Sequence, residues 1–188
     1  MKILEPKAIH HLCDGNIEGE LVEINKKCFK DIKDIYFNSE NVDDNTIMYT
    51  VYSYINGDQK NERNLSYGMS VLHPVYINNE CNMTRGHYHT DPSFPEIYVG
   101  LSGEGLLMLK DKNGNEFAEK VFKGSVHYID GIYAHRLVNT GEIDLMVQAV
   151  WSPCAGHDYD SLISDGFKYR IFKKDGKIEA INTDELSK

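Results

Sequence analysis

The sequence predicts an all-β protein, built as an antiparallel sandwich or barrel of the jelly-roll kind. Three observations support this fold class. Segments rich in β-branched and aromatic residues recur at short intervals, Gly, Asn and Asp interrupt them as at turns, and no long segment repeats with a helical period. The chain has 188 residues, including 12 Tyr and seven Phe, which suits one domain with a substantial core.

The first 46 residues are polar and mixed in character. We expect residues 1–46 to form an N-terminal extension that packs on a barrel of residues 47–188, within one structural domain. In the extension, residues 19–25 (GELVEIN) fit a strand and residues 30–37 (KDIKDIYF) fit a short helix. The segment 40–46 (ENVDDNT) is typical of an acidic loop.

From Ile47 onward the pattern is that of successive strands. Residues 47–55 alternate in polarity, and a second strand, at 65–74, stops at a proline. The Asn-Gly pair at 113–114 is a strong hairpin signal, and an Asp-Gly pair predicts a closing hairpin within residues 167–182. The other predicted strands are residues 96–102, 105–110, 119–123, 125–129, 134–139 and 144–151.

Charge and cysteine content narrow the possible functions. The formal net charge is −9, so the chain lacks the basic footprint needed to bind nucleic acid or an anionic membrane. Local groups must also bind any phosphate, since there is no long-range attraction for anions. The four cysteines are widely spaced, and we see neither a secretory signal nor a membrane-length apolar run. These features predict a cytoplasmic protein with free thiols.

Four residues have the chemistry of metal ligands. His87 and His89 stand two apart, so in a strand they would share one face, with Tyr88 pointing outward. Glu96 begins the next predicted strand, and His135 begins a later one. A set of three imidazoles and one carboxylate suits one divalent ion per subunit, with Fe²⁺ the first candidate and Mn²⁺, Ni²⁺, Co²⁺ or Zn²⁺ the others. Four protein ligands leave two octahedral positions open, as in catalytic sites.

Each ligand candidate also has an ordinary interpretation. His-x-His alone is common on solvated strands, Glu96 could be a solvated acid at a strand end, and His135 could cap a turn. The combination of all four favours a metal site. The remaining histidines of the first 154 residues fit no ligand position and are interpreted as structural or solvated: His10, His11, His73 and His127.

The ligand spacing resembles the two cupin motifs. The first motif is matched by Gly86, His87, His89, Glu96 and Gly103, and its gap of six residues between the second His and the Glu is longer than in most cupins. In the second motif the matching residues are Gly124, His135 and Asn139, whereas Asp130 and Ile132 replace a proline and a glycine.

Longer segments resemble the cupin-type, archaeal-style glucose-6-phosphate isomerases. They are residues 84–109 (TRGHYHTDPSFPEIYVGLSGEGLLML), 133–141 (YAHRLVNTG) and 155–167 (AGHDYDSLISDGF), the last being absent from ordinary cupins. The resemblance implies a single-domain cupin, that is, a double-stranded β-helix or jelly-roll barrel, with a short N-terminal helix and strand additions. It also implies a homodimer.

The family's reaction interconverts glucose 6-phosphate and fructose 6-phosphate, and the resemblance implies a metal-dependent isomerase of this kind. The metal would polarise the C1 and C2 oxygens. Glu96 is the possible base of a cis-enediol route, and a metal-assisted hydride shift stays open as the other route. His157 and Tyr159 match catalytic-site positions, where they could help to open the sugar ring or hold its hydroxyls.

Other positions match the family's substrate and phosphate contacts: Tyr49, Ser70, Thr84, Gly86, Tyr98 and Trp151. Hydroxyls and a glycine amide can bind phosphate without a positive charge. Packing or strand roles remain open for each side chain. Trp151 and Ile132 each replace a tyrosine of better-known relatives, and we expect both changes to alter the cavity wall and the sugar preference. A cupin iron dioxygenase and a non-catalytic sugar-binding cupin are the alternative functions.

Overall fold

Antiparallel β-structure dominates the protein, as the sequence predicts. The computed structural model describes residues 1–186, without the side chains at positions 164 and 165. The last two residues of the predicted barrel segment therefore lie outside the described residues. The strands are β1 (Ala8–His11), β2 (Asn16–Gly19), β3 (Val22–Cys28), β4 (Ile47–Tyr54), β5 (Ser66–Leu72), β6 (Tyr76–Ile77), β7 (Glu80–Cys81), β8 (Glu96–Ser102), β9 (Glu104–Lys110), β10 (Glu116–Phe122), β11 (Val126–Ile129), β12 (Ala134–Asn139), β13 (Leu145–Trp151), β14 (Tyr169–Lys174) and β15 (Lys177–Asn182).

Helices are short. The predicted N-terminal helix is present, although it divides into α1 (Phe29–Ile32) and a 3₁₀ turn (Lys33–Ile35). The other helical segments are a 3₁₀ turn (Pro153–Ala155), α2 (Asp160–Asp165) and α3 (Thr183–Leu186). Among residues 1–186, no helix has both the length and the apolar character required to span a membrane.

Two sheets form the barrel. The larger has the strand order β11-β8-β13-β5-β4-β3, the smaller has the order β10-β9-β12, and all pairs are antiparallel. Their inward side chains share one apolar cluster, with Leu72 and Val147 from the larger sheet and Leu107 and Leu137 from the smaller. This arrangement is of the predicted jelly-roll class. Burial of the inner apolar face of each sheet against the other holds the two sheets together.

Two small sheets flank the barrel. β1 pairs with β2, and a four-stranded sheet has the order β15-β14-β7-β6. The closing hairpin turns where predicted, at Asp175 and Gly176, whose φ values are +49° and +73°. β6 and β7 were not predicted, since two residues are too few to show an alternating pattern.

One predicted strand in the extension has the wrong bounds. Gly19 ends β2 with φ of +153°, and a Cβ there would lie 2.3 Å from the Lys7 carbonyl oxygen. The chain therefore turns after Gly19, and residues 19–25 are not a single strand. β3 starts at Val22 and pairs with β4, with Lys27 opposite Tyr49, so it forms the edge of the larger sheet.

The His-x-His segment is extended, but it is not the regular strand expected. Isolated bridges join Met83 to Val138 and His87 to His135, which attach the segment to β12. Tyr88 was expected to point outward, but it is only 2% exposed, and its hydroxyl donates to the Asp111 carbonyl at 3.3 Å. A buried tyrosine behind the two histidines fixes their segment from the opposite side.

Candidate metal centre and central cavity

The predicted ligands come together from three parts of the fold. His87 and His89 lie on the extended segment, Glu96 is the first residue of β8, and His135 is the second residue of β12. One ring nitrogen from each of the three histidines lies within 4.8 Å of the other two. His89, Glu96 and His135 are buried polar residues.

The long gap before Glu96 contributes directly to the centre. The His89 Nδ1 lies 2.7 Å from the Phe94 carbonyl oxygen, within that gap. A carbonyl can only accept, so Nδ1 carries the proton and the His89 Nε2 presents its lone pair. That Nε2 is 3.9 Å from the Glu96 Oε2. The Nδ1 hydrogen bond to the Phe94 carbonyl is of the kind that orients a metal-binding imidazole and fixes its tautomer.

Several atoms of the cluster are buried without hydrogen-bond partners. They include the His87 Nε2, the His135 Nε2 and the Glu96 Oε1. The last two lie 2.8 Å apart, yet they are not aligned as donor and acceptor. Neighbouring ligand atoms of an ion held at about 2.1 Å are about 3 Å apart. Because unpartnered buried polar atoms are rare, the donor set fits a divalent metal ion.

The protonation states also suit metal binding. Burial, followed by the nearby His135, His157 and His89, lowers the pKa of His87 well below its usual value. Burial likewise lowers the pKa of His89, although Glu96 opposes it. For Glu96, burial raises the pKa, but His135, His89 and Tyr98 outweigh it and leave the pKa lowered. At neutral pH the His87 and His89 imidazoles are therefore neutral and the Glu96 carboxylate is ionised, as metal ligands must be.

A cavity of about 350 Å³ opens beside these ligands; we call it the central cavity. Tyr98 lies on its wall, and the Glu96 charge acts on it. Burial, followed by that charge, raises the pKa of Tyr98 well above its usual value, so the phenol keeps its proton and remains a donor. The structure places all of the following predicted residues on this wall: Tyr49, Ser70, Thr84, Gly86, His87, Glu96, Tyr98, His135, Trp151, His157 and Tyr159.

His157 and Tyr159 stand on the wall after the last barrel strand. The His157 ring centroid is 4.3 Å from that of His87, and the His157 and Tyr159 rings stack at 5.9 Å with an interplanar angle of 13°. Both side chains retain solvent exposure. They therefore connect the candidate metal centre to the solvent side of the cavity.

Hydroxyl groups and backbone line another part of the wall. Burial raises the pKa of Tyr49 to about 12, so its hydroxyl remains a donor. The Thr84 Oγ1 accepts from the Leu137 amide at 3.0 Å and still has an O–H to donate. Gly86 has φ of +76°, and a Cβ there would lie 2.9 Å from the His135 carbonyl oxygen. Only glycine fits this turn without displacing the backbone of a metal-ligand candidate.

Trp151 and Ile132, which each replace a tyrosine of better-known relatives, lie in different places. Trp151 lines the cavity and packs against Gly68, where a Cβ would lie 2.9 Å from the indole ring. Ile132 is 49% exposed and is not on the described wall of the central cavity. The expectation that Ile132 alters this wall is therefore wrong, because the turn before β12 carries its side chain to the surface.

Two basic residues on the wall were missed by sequence reasoning: Lys27 and Arg85. The Arg85 guanidinium is paired with Asp34, at 2.6 Å. Lys27 forms no ion pair within the described part of the chain. The alternation of β3 would have revealed Lys27 once its bounds were known, since Glu23, Asn25 and Lys27 all line the cavity.

The remaining histidines lie apart from the cluster, and each of them contacts or pairs with another side chain. His10 contacts Tyr67, His11 pairs with Glu18, His73 pairs with Asp144, and His127 contacts both Glu119 and Ser125. The four cysteines are free thiols, as expected.

Comparison with known proteins agrees with this architecture. The family model described as Glucose-6-phosphate isomerase (GPI) matches residues 26–187. The chain is 30% identical over 176 residues to a glucose-6-phosphate isomerase from Thermococcus kodakarensis, covering 90% of this chain and 92% of that one. It is also 30% identical over 171 residues to the Thermococcus litoralis enzyme of that name, covering 87% and 89%.

A solved oxalate oxidase in complex with glycolate is more distant. It has a TM-score of 0.46 and 14% identity, covering 76% of this chain and 56% of that one. That likeness is too weak to add to the assignment, which follows from the family match and the curated relatives. The chain belongs to the glucose-6-phosphate isomerase family, in its cupin form.

Proposed function

We propose that this protein is a metal-dependent glucose-6-phosphate isomerase, which interconverts glucose 6-phosphate and fructose 6-phosphate in glycolysis and gluconeogenesis. One observation carries the proposal. In a chain of this family, buried imidazole and carboxylate atoms without partners converge at the wall of a cavity of about 350 Å³. That volume is suitable for a small polar ligand.

His87, His89, Glu96 and His135 would hold the ion, with Fe²⁺ the first candidate. A bound divalent ion would supply Lewis-acid polarisation of the C1 and C2 oxygens of the sugar. Supporting this assignment, the His89 Nδ1 is engaged by the Phe94 carbonyl, which leaves Nε2 free.

Glu96 is the proposed base. In the cis-enediol route, it removes the C2 proton of glucose 6-phosphate and returns a proton at C1. The Tyr98 hydroxyl, as a donor near Glu96, would hold the carboxylate in place for both transfers. In the alternative route, hydrogen moves directly from C2 to C1 as hydride, and Glu96 moves no proton. Exchange of substrate hydrogen with deuterated solvent would support the enediol route.

His157 and Tyr159 are proposed to open the sugar ring and hold its hydroxyls. Burial lowers the pKa of His157, so a neutral imidazole is available to accept a proton near pH 7. The phosphate is proposed to lie among the Tyr49, Ser70 and Thr84 hydroxyls and the Gly86 amide. Tyr98 and Trp151 would then bound the sugar.

A homodimer in the cytoplasm is also proposed, with the extension of residues 1–46 packing on the barrel. Apolar side chains exposed in the extension support a partner surface, among them Ile9, Leu12 and Ile24.

A coupled isomerase assay tests the function. We expect fructose 6-phosphate turnover with added Fe²⁺ or Mn²⁺ and its loss on treatment with EDTA. Metal-dependent O₂ uptake without isomerisation would indicate a cupin dioxygenase instead. Sugar-phosphate binding without turnover would indicate a non-catalytic cupin, and either result would overturn the proposal.

A further inference from the structure

A second cavity, of about 290 Å³, is lined by three arginines: Arg85, Arg136 and Arg170. We call it the arginine cavity. Asp34 and apolar residues of the α2 region also line this cavity, among them Leu162, Ile163 and Phe167. Arg85, Gly86 and Tyr159 line both cavities, so the two are adjacent but separate.

Arg136 is the unusual member of this group. It is 8% exposed, and its Nε is buried without a hydrogen-bond partner. One terminal nitrogen donates to the Arg85 carbonyl oxygen at 2.6 Å, and the other faces the Met83 sulfur at 3.2 Å. Among the described side chains, which do not include that of residue 165, no carboxylate pairs with the Arg136 guanidinium.

The other two arginines are already neutralised. Arg85 pairs with Asp34 at 2.6 Å, and Arg170 pairs with Glu80 at 2.7 Å. Arg136 therefore leaves one uncompensated positive charge on the cavity wall. The Phe167 ring, 4.7 Å away, compensates only partly by a cation–π contact.

A buried charge without a counter-ion is strongly unfavourable, and a bound anion would relieve it. The Arg170 Nε is a second buried donor without a partner. Guanidinium groups match the oxygen spacing of phosphate and bind it through paired hydrogen bonds. The cavity is also larger than one phosphate ion, which leaves space for a few carbon atoms.

We propose that the arginine cavity is a second phosphate-binding site, distinct from the central cavity, that takes inorganic phosphate or the phosphate of a small metabolite. Its ligand would contact Arg136 and Arg170. Because Gly86 lines both cavities and precedes His87, occupation of this site would also restrain the segment that carries the metal-ligand candidates.

Calorimetric titration of the metal-loaded, full-length protein tests the proposal. Inorganic phosphate and glycerol 3-phosphate are the probes, with chloride at matched ionic strength as the blank. Saturable binding of either probe is expected, and tighter binding of the ester would assign the site to a metabolite. In Arg136→Met we expect binding at least about tenfold weaker, and in Arg136→Lys an intermediate loss, because lysine keeps the charge but not the paired donors.

A second variant covers the case in which Arg136→Met fails to fold. Ile163 lies on the cavity wall and is 63% exposed, so Ile163→Glu adds a negative charge with little effect on packing. We expect about fivefold weaker phosphate binding than in Ile163→Gln, the matched neutral control, from repulsion at close range. Lys27→Met changes only the central cavity, so it should leave unchanged the part of the phosphate binding that Arg136→Met removes.

Three results would overturn the proposal. One is the absence of saturable binding of both probes to wild-type protein. Another is unchanged phosphate binding in both Arg136→Met and Ile163→Glu. The third is loss of binding in Lys27→Met alone, which would place the phosphate in the central cavity. None of these readouts depends on isomerase activity.

Discussion

At the scale of single residues, the tautomer of one histidine organises the candidate metal centre. The Phe94 carbonyl accepts a hydrogen bond from the His89 Nδ1, and the His89 Nε2 lies 3.9 Å from the Glu96 carboxylate. The six residues between His89 and Glu96 supply that carbonyl. The spacing that departs from most cupins therefore has a physical role in this chain.

Replacement of His89 tests this centre. His89→Ala removes one of four proposed ligands, so we expect metal content after dialysis to fall and turnover to fall about 100-fold or more. Elemental analysis and the isomerase assay on the same sample measure both effects. His11→Ala is the matched control, because His11 is only partly buried, pairs with Glu18 and lies outside the cluster. Normal turnover by His89→Ala would count against the site.

The Thr84 hydroxyl has two functions that one pair of variants can separate. It accepts from the Leu137 amide at 3.0 Å, and we propose that it donates to the substrate phosphate. Thr84→Val should raise KM for fructose 6-phosphate about tenfold, whereas Thr84→Ser keeps the hydroxyl and should stay near wild type. The thermal midpoint of each variant reports any loss from the unpaired Leu137 amide. An unchanged KM in Thr84→Val would place the phosphate elsewhere.

At the scale of elements, predictability followed the strength of the local pattern. The strands from β4 to β5 and from β8 to β13 alternate clearly between turn residues, and the sequence located them to within a few residues. The four ligand candidates were found in the same way, from spacing on predicted strands. Failures occurred where tertiary contacts decide the conformation, as in the two-residue β6 and β7 and in the His87 segment, which is held by isolated bridges to β12.

The same reasoning explains which site residues were missed. Lys27 lies on β3, whose bounds the sequence did not define, and it reaches the cavity because β3 pairs with β4. Arg136 and Arg170 come from β12 and β14 and meet only through the packing of α2 and the N-terminal extension. A local sequence pattern carries no information about contacts between residues that lie so far apart in the sequence.

The position of Lys27 gives a prediction at this scale. Lys27 is one of two cations on the wall of the central cavity, and the other, Arg85, is paired with Asp34. Lys27→Met should raise KM for fructose 6-phosphate about three- to tenfold with little change in kcat, since the charge stabilises ground state and transition state alike. Lys27→Arg keeps the charge and is the control. If Lys27→Met had a wild-type KM, β3 would contribute only packing.

At the scale of the whole molecule, the fold brings three histidines and Glu96 together in its interior. The barrel gains its stability from apolar burial across both sheets, and the candidate metal centre is one of several polar groups buried in the protein. Bringing three imidazoles together lowers the pKa values of His87 and His89, because their charged forms are desolvated and repel each other. Without an ion, this centre makes folding dependent on pH.

The sign of that dependence follows from linkage. An unfolded histidine takes up a proton as pH falls through about 6.5, whereas the lowered pKa values of His87 and His89 delay protonation of the folded protein to lower pH. The unfolded state then binds more protons, so the metal-free protein should lose stability below that pH, by up to about 1.4 kcal/mol per pH unit for each histidine. Glu96, with its lowered pKa, extends the loss below about pH 4.5.

Thermal unfolding of EDTA-treated protein between about pH 7 and pH 5 measures this effect. The midpoint should fall with pH in wild type and fall less steeply in His87→Asn, which cannot take up the proton. Replacement of His11 by Asn is the matched control, since His11 lies outside the cluster. Equal slopes in wild type and His87→Asn would show that His87 is not held neutral by the fold, and the buried cluster would then not be the source of the pH dependence.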